Sequence, residues 1–288
     1  MNYRHEFHAG NFADVLKHVF LVRILLYLRR KEKPFRYIDT HAGAGLYDLN
    51  GPDAARSGEA REGILRLLEN PNHGADSSGS AWDLLEPYLA AVRAAGGPQI
   101  YPGSPLIAKS LLRPQDKAIF CEMLPRAAQS LRRANARDDR VKTIEIDGYT
   151  GLKAFTPPPE RRGLVLIDPP FERRDEYERI FDTLNAALKK WPDGIFMIWQ
   201  PVKEPDVVAS FCRAVAAAAP KSLRIDLQVE TPAPNRPLAR TGLIVINPPY
   251  VLEQEAQILL PLFTQILARG PGAQFSLQPL SGEDVPHG

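Results

Sequence analysis

Cysteine is scarce in this 288-residue chain, which contains only Cys121 and Cys212. Two cysteines cannot build a disulfide framework, and no Cys/His spacing in the sequence suits a zinc site. The most apolar early stretch, residues 19–28, contains Arg23 and falls far short of the ~20 residues that a membrane span needs. The N-terminus also lacks the pattern of a signal peptide. We therefore expect a cytoplasmic protein without a bound metal or a membrane partner.

The sequence also lacks an excess of positive or negative charge. The chain has 36 Lys and Arg against 34 Asp and Glu, a formal net charge of +2. This balance excludes a histone-like polycation, so any contact with nucleic acid must come from local basic clusters. Such clusters are Arg4, Lys17, Arg29, Arg30 and Lys31, then Arg161 and Arg162, and then Arg173 and Arg174.

Four short apolar runs that end in polar residues predict buried parallel strands. They cover residues 36–39, 118–121, 141–146 and 164–167. Helical patterns at 124–136, 175–191, 204–219 and 252–268 alternate with these runs and with further strand patterns at 194–199, 223–229 and 242–246. This alternation predicts an α/β fold with a doubly wound sheet, in which ligands bind beyond the carboxyl ends of the strands.

One region interrupts the alternation. Between Gly45 and Tyr101 the sequence has helical patterns at 59–68 and 82–95 but no convincing strand, and 70–80 is typical of a flexible loop. We expect residues 48–100 to form a helical insertion after the first strand, within a single domain that spans residues 1–288.

Polar residues follow the first three strands. Thr40-His-Ala-Gly-Ala-Gly45 resembles a loop whose glycines let a ligand approach the backbone closely. The third glycine of the dinucleotide pattern is missing, which disfavours a nicotinamide enzyme. Glu122 is placed to accept hydrogen bonds from ribose hydroxyls, and Asp147 from the amine of an adenine ring. Asp147 fits equally well as a helix N-cap.

The segment Asp168-Pro169-Pro170-Phe171 carries the sharpest chemical signal. Because proline has no N–H, the two prolines cannot continue a strand ladder, and they leave carbonyl groups free to accept hydrogen bonds. Together with the Asp168 carboxylate they suit a donor amine, while Phe171 can stack on a planar ring. This arrangement fits a flipped-out base that presents its amine to a methyl donor. The alternative is a rigid strand end with a packed Phe.

A second segment, Asn247-Pro-Pro-Tyr250, has the same pattern. Chain order favours Asp168 as the active copy, because the strand that precedes it should neighbour the first strand across the topological switch point. We expect the Asn247 segment to be a structural turn. At the other end of the chain, residues 3–18 hold three of the six histidines before a helix that begins at Asn11 or Ala13. The histidine spacings favour a polar helix face over a metal site.

Together these segments resemble the RlmJ family, bacterial methyltransferases that modify an adenine of 23S ribosomal RNA at its exocyclic amine. The resemblance covers the chain from Tyr3 to about Glu253. The segments that carry it are Phe7-His-Ala-Gly-Asn11, Ala13-Asp-Val-Leu-Lys-His18, Asp39-Thr-His-Ala-Gly-Ala-Gly45, Tyr101-Pro-Gly-Ser-Pro105 and Leu166-Ile-Asp-Pro-Pro170.

The resemblance implies a class I S-adenosylmethionine-dependent fold, with Asp168 at the catalytic position and Tyr3 near the RNA. The cofactor contacts that it implies are His18, His41, Ser104, Glu122, Asp147, Gly148 and Asp168. Protonation of either histidine near the ordinary pKa of about 6.5 would strengthen binding of the cofactor's carboxylate. Phe171 replaces the Tyr of the commoner amino-methyltransferase motif, so stacking survives without a hydroxyl contact.

Several alternatives remain open from the sequence. Phe also occurs at the Phe171 position in guanine-amine methyltransferases. The choice of adenine as the target base therefore depends on the resemblance over the whole chain. A DNA adenine methyltransferase, an RNA guanine methyltransferase and a non-catalytic RNA-binding module are the other readings. For the expected partner, 23S ribosomal RNA, the sequence does not distinguish free RNA from an assembling subunit. Arg173 and Arg174 are the preferred phosphate contacts, because they follow the proposed base pocket.

Overall fold

The computed structural model describes residues 7–70, 80–233 and 238–280. Tyr3, Arg4, most of the loop expected at 70–80 and the final residues 281–288 lie outside the described residues. Within the described ranges, no helix is long and apolar enough to cross a membrane.

Ten strands are present in the described part of the chain. They are β1 (Arg36–Asp39), β2 (Leu46–Asp48), β3 (Ile100–Pro102), β4 (Lys117–Glu122), β5 (Val141–Glu145), β6 (Gly163–Ile167), β7 (Ile195–Pro201), β8 (Ser222–Gln228), β9 (Arg240–Ile246) and β10 (Gln274–Leu280). Eight of them form one sheet in the order β10-β8-β9-β7-β6-β1-β4-β5.

The strands β5, β4, β1, β6 and β7 run parallel, and β9 runs antiparallel to both β7 and β8. Successive strands leave β1 towards one side of the sheet, and the chain then returns to build the other side from β6. The gap between β1 and β6 is therefore the topological switch point, where open α/β sheets bind ligands. This confirms the predicted doubly wound α/β fold and the pairing of the first strand with the strand that ends before Asp168.

Ten α-helices accompany these strands in the described ranges. They are α1 (Phe12–Arg29), α2 (Pro52–Ser57), α3 (Ile64–Leu68), α4 (Ala81–Ala95), α5 (Ser104–Ser110), α6 (Pro125–Ala134), α7 (Gly148–Phe155), α8 (Glu176–Lys190), α9 (Pro205–Ala218) and α10 (Leu252–Ile266), with a 3-10 turn at Glu59–Glu62.

Helix α1 is buried along almost its whole length, so the charged residues Asp14, Lys17 and Arg23 that it carries are buried as well. Asn11 caps it, accepting the backbone N–H of Asp14 at 2.9 Å. A helix that packs on several sides loses the usual division into an apolar and a polar face. Its polar residues are consequently buried with partners: Arg23, for example, donates to Glu255 at 2.9 and 2.7 Å.

The region 48–100 contains α2, the 3-10 turn, α3 and α4, and its buried side chains, such as Ile64, Leu67 and Leu85, join the main core. Two features of this region differ from the prediction. Strands β2 and β3 pair antiparallel at its two ends, and each has only three residues, too few to show alternation. Strand β10 was also not predicted. Its polar sequence suits an edge strand, and it pairs with β8.

Candidate active site

A cavity of about 970 Å³ opens beyond the carboxyl ends of β1, β4, β5 and β6. Neighbouring parallel strands deliver their terminal residues to one edge, so short segments far apart in sequence meet there. All the residues that the resemblance assigns to the cofactor line this cavity: His18, His41, Ser104, Glu122, Asp147, Gly148 and Asp168.

The loop after β1 fixes one carboxylate at the cavity wall. Gly43 and Gly45 have φ angles of 66° and 88°, in the left-handed region that glycine adopts without strain. The backbone N–H of Gly43 donates to Glu122 at 2.8 Å, and the N–H of Leu124 donates to the other oxygen at 2.7 Å. Glu122 is thus an oriented acceptor on the wall of the cavity.

Asp147 and Gly148 form the start of α7. Asp147 is its N-cap, accepting the N–H of Thr150 at 2.9 Å, so the capping interpretation holds while the residue also lines the cavity. A Cβ added to Gly148 would overlap the carbonyl oxygen of Thr40 and lie 2.8 Å from ring atoms of His41. Only glycine leaves the backbone this close to the loop after β1.

Beneath the cavity lies Asp39, a buried carboxylate in the Asp39–Gly45 segment for which the sequence predicts no role. It accepts hydrogen bonds from Ser104 Oγ at 2.7 Å and Tyr37 Oη at 2.8 Å. Burial raises the pKa of Asp39 to about 6, against the opposing effect of these two hydrogen bonds. Asp39 holds Ser104 in place at the cavity wall.

The two histidines of the site differ in their surroundings. His41 shares a hydrogen bond of 2.8 Å with Thr40 Oγ1, and burial lowers its pKa to about 4. The predicted protonation near pH 6.5 is therefore wrong for His41, because desolvation disfavours the charged ring. His18 is buried in α1, where its Nδ1 shares a hydrogen bond of 2.7 Å with the Tyr101 hydroxyl and its ring stacks on that of Tyr101.

Asp168 is paired with a buried lysine. Lys17 Nζ lies 2.5 Å from Asp168 Oδ2 and 2.8 Å from Asp14 Oδ1. Burial opposes the charge of Lys17, but the two carboxylates outweigh it and raise the pKa of Lys17 above its usual value. From the sequence, Lys17 is expected in a basic cluster that contacts nucleic acid, whereas the structure buries it. The signal for its buried partner was Asp14, one turn earlier in a mostly apolar helix.

Asp168 also borders a second cavity of about 300 Å³, which shares Lys17 and Pro170 with the first. Phe171 and Trp199 line this second cavity, and their ring centroids lie 5.6 Å apart. Phe171 has a φ angle of 48°, a strained conformation that a packed ring helps to maintain. Pro169 is buried beside Asp168. The two cavities therefore meet at the Asp-Pro-Pro segment.

Of the two proposed phosphate contacts, Arg173 lines the larger cavity and Arg174 lines neither cavity. Arg173 is exposed on the rim of the larger cavity, where it makes two hydrogen bonds of 2.8 Å to Asp175, and Arg174 is exposed beside it. Among the described residues, no three His, Cys, Asp or Glu side chains gather as a metal site requires.

The Asn247 segment is at the opposite edge of the sheet, because β9 runs antiparallel to β7. The Asn247 side chain donates to the carbonyls of Pro192 at 2.7 Å and Gly194 at 2.8 Å. It is a structural turn, as chain order predicted.

Residues 32–277 match the family model described as "Ribosomal RNA large subunit methyltransferase D, RlmJ". The chain belongs to this family. It is 39% identical over 277 residues to Ribosomal RNA large subunit methyltransferase J of Escherichia coli strain K12, covering 94% of this chain and 96% of that protein. The enzyme of the same name from Haemophilus influenzae is 39% identical over 273 residues, covering 93% and 94%.

A crystal structure of a protein from Legionella pneumophila shares this fold with a TM-score of 0.85 and 34% identity, covering 95% of this chain and 99% of the other. Membership of the family makes the doubly wound sheet a class I methyltransferase fold and S-adenosylmethionine the methyl donor, as the sequence predicted.

Proposed function

We propose that this protein transfers the methyl group of S-adenosylmethionine to the exocyclic amine of an adenine in 23S ribosomal RNA, and that the transfer takes place at Asp168. The observation that carries the proposal is the junction of the two cavities. Asp168, Lys17 and Pro170 border both of them. A donor in the larger cavity and a flipped base in the smaller one would meet at the Asp168 carboxylate.

The larger cavity fits the cofactor in size and in chemistry. Its volume of about 970 Å³ is ample for a ligand of that size. Glu122, held by two backbone N–H groups, would accept from the ribose hydroxyls, and Asp147 with the bare backbone of Gly148 would border the adenine. His18, His41 and Ser104 would hold the amino-acid end. The bound cofactor supplies an electrophilic methyl group on a cationic sulfur.

The charged group around Lys17 prepares the site for this chemistry. Two carboxylates, Asp14 and Asp168, share one ammonium group, which leaves a net charge of −1 at the junction of the two cavities, beside the place proposed for a cationic donor. The Lys17 contact also fixes one oxygen of Asp168, so that the carboxylate is oriented before a substrate arrives. Fixed charges of this kind cost no reorganisation during the reaction.

Asp168 and the carbonyl of Pro169 would accept the two hydrogens of the base's amine. An aromatic amine is a poor nucleophile because its lone pair is delocalised into the ring, and these acceptors favour the form in which the lone pair is localised. Phe171 and Trp199 would hold the ring of the base. Catalysis then rests on positioning and electrostatics rather than on a strong base, because the methylated nitrogen is cationic and readily loses its extra proton to Asp168 or water.

The proposal also covers the state of the RNA substrate and the other residues that contact the RNA. A base must leave its stack to enter the smaller cavity, so we propose protein-free RNA or an assembling subunit as the substrate, met in the cytoplasm. Arg173 and Arg174 would contact phosphates at the cavity rim. Tyr3, upstream of α1, would approach the base.

The test is methyl transfer from labelled S-adenosylmethionine to 23S rRNA, transfer RNA and DNA, followed by mass analysis of the nucleosides. We expect N6-methyladenine from 23S rRNA alone. Asp168→Ala should abolish transfer yet keep cofactor affinity within a few-fold, because Asp168 faces the amine. Asp193→Ala, which alters an exposed aspartate before β7, is the matched control. Methylguanine as the product, or turnover retained in Asp168→Ala, would contradict the proposal.

A further inference from the structure

An exposed aromatic array lies at the edge of the sheet opposite to the active site. Tyr250, in the turn after β9, is 79% exposed, and its ring meets that of Tyr27 edge-on with centroids 5.8 Å apart. The guanidinium of Arg30 lies 5.7 Å from the centroid of Tyr27. Exposed aromatic rings beside cations are the elements on which proteins stack unpaired bases.

Next to this array, residues 29–33 form a basic segment whose backbone is held rigidly. Arg113 donates to the carbonyls of Arg29 at 3.2 Å, Lys31 at 2.8 Å and Lys33 at 3.3 Å. Arg162 donates to the carbonyl of Lys33 at 2.9 Å. The side chains of Lys31 and Lys33 are exposed. A segment already ordered in this way loses little conformational entropy when it binds a ligand.

Among the residues that the structure describes, cations outnumber carboxylates in this region. The carboxylates are Glu32 within the basic segment, Glu253 three residues after Tyr250, and Asp116 and Glu255, which already have arginine partners. Asp116 pairs with Arg113 at 2.8 Å, and Glu255 pairs with Arg23 at 2.7 Å and more distantly with Arg30 at 3.9 Å. Burial and the neighbouring charge of Arg113 lower the pKa of Arg162. A chain with a net charge of only +2 thus concentrates positive charge here.

The array and the active site are at opposite ends of α1. Lys17 and Arg30 are 13 residues apart, which corresponds to about 20 Å along a helix. A single nucleotide cannot contact both. An RNA of several nucleotides can.

We propose that Tyr27, Arg30, Lys31, Lys33 and Tyr250 form a far-edge surface that binds a second segment of the ribosomal RNA substrate, with phosphates against the lysines and a base stacked on Tyr250. This inference rests on the proposed function. It assigns to the protein an RNA contact remote from the methylated base, which sets affinity for long RNA without touching the reacting groups.

The test compares two variants with matched controls in the full-length protein. Tyr250→Ala removes the stacking ring, and Tyr250→Phe keeps it. Lys31→Ala with Lys33→Ala removes two exposed charges, and Lys142→Ala with Lys153→Ala removes two exposed charges elsewhere. Affinity for a 23S rRNA fragment is measured over a range of salt concentrations, together with KM, kcat and cofactor affinity.

We expect Tyr250→Ala to weaken RNA binding about tenfold and to raise KM while kcat and cofactor affinity stay unchanged, with Tyr250→Phe close to wild type. The far-edge lysine pair should lower the slope of log affinity against log salt by about 0.7 per lost phosphate contact, and the control pair should not.

Unchanged affinity and salt slope in both far-edge variants would overturn the proposal while the wild type still methylates RNA. A wild type that methylates no RNA would instead refute the proposed function. If the variants act normally on protein-free RNA but fail on an assembling ribosomal particle, the surface binds a protein rather than RNA. That result would also overturn the proposal.

Discussion

Replacement of Lys17 by methionine tests how the site is built. Lys17→Met keeps an unbranched side chain, one atom shorter than that of lysine, and removes its charge. The Lys17 side chain is 4% exposed, and the carboxylates that it contacts are 4% exposed at Asp14 and 14% exposed at Asp168. Loss of one partner from a buried ion pair costs about 3–5 kcal/mol, because the remaining charge stays desolvated. We expect a loss of this size in the free energy of unfolding at pH 7.

The pH dependence follows from the direction of the pKa shift. Because the pKa of Lys17 is raised in the folded state, its stabilising contribution is complete below the ordinary lysine value of about 10.4 and is lost only in more alkaline solution. The difference in unfolding free energy between wild type and Lys17→Met should therefore have its full size at pH 7.

Methyl transfer should fall by about a hundredfold or more in Lys17→Met, since Asp168 loses the contact that orients it. Urea unfolding at pH 7 gives the stability, and turnover on 23S rRNA gives the activity. Lys153→Met, at an exposed lysine in α7, is the control. An unfolding free energy within 1 kcal/mol of wild type, with normal turnover, would refute the argument that Lys17 neutralises and orients the two carboxylates.

Three further predictions concern the larger cavity. Gly148→Ala should lower stability by about 1–3 kcal/mol and weaken cofactor binding, because its Cβ would overlap the carbonyl oxygen of Thr40; a normal melting temperature with normal calorimetric affinity would contradict this. His18→Ala should raise the dissociation constant for S-adenosylmethionine about tenfold, through loss of a hydrogen bond of about 1.5 kcal/mol; unchanged affinity in the titration would restrict His18 to packing. Burial raises the pKa of Asp39 to about 6, so ionisation destabilises the wild type as pH rises from about 4 to 6. The stability of Asp39→Asn relative to wild type should thus improve by about 2 kcal/mol between pH 4 and pH 7, and a difference independent of pH would rule this out.

The sequence alone determined seven of the eight strands of the large sheet and the carboxylates that follow its parallel strands. The runs before Asp39, Glu122 and Asp168 are apolar because both faces of a parallel sheet are covered by helices, so their strand character is readable locally. The glycines after β1 permit a tight turn, and the prolines after β6 end the strand ladder. Neither effect depends on a distant partner. Those features placed Glu122, Asp147 and Asp168 at one edge of the sheet.

Only the tertiary structure decided how the groups within that edge interact. Lys17 and Asp168 are 151 residues apart. No local sequence pattern indicates that α1 brings a lysine into contact with the catalytic carboxylate. Burial, which lowers the pKa of His41, is likewise a property of the packed cavity.

The tertiary structure also separated two segments that look alike in sequence. Asp168-Pro-Pro and Asn247-Pro-Pro both follow buried strands, yet β6 runs parallel to β1, whereas β9 runs antiparallel to β7. Strand direction depends on hydrogen bonds between distant segments. It places one motif at the mouth of the cavities and the other beside the turn before β7, at the far edge.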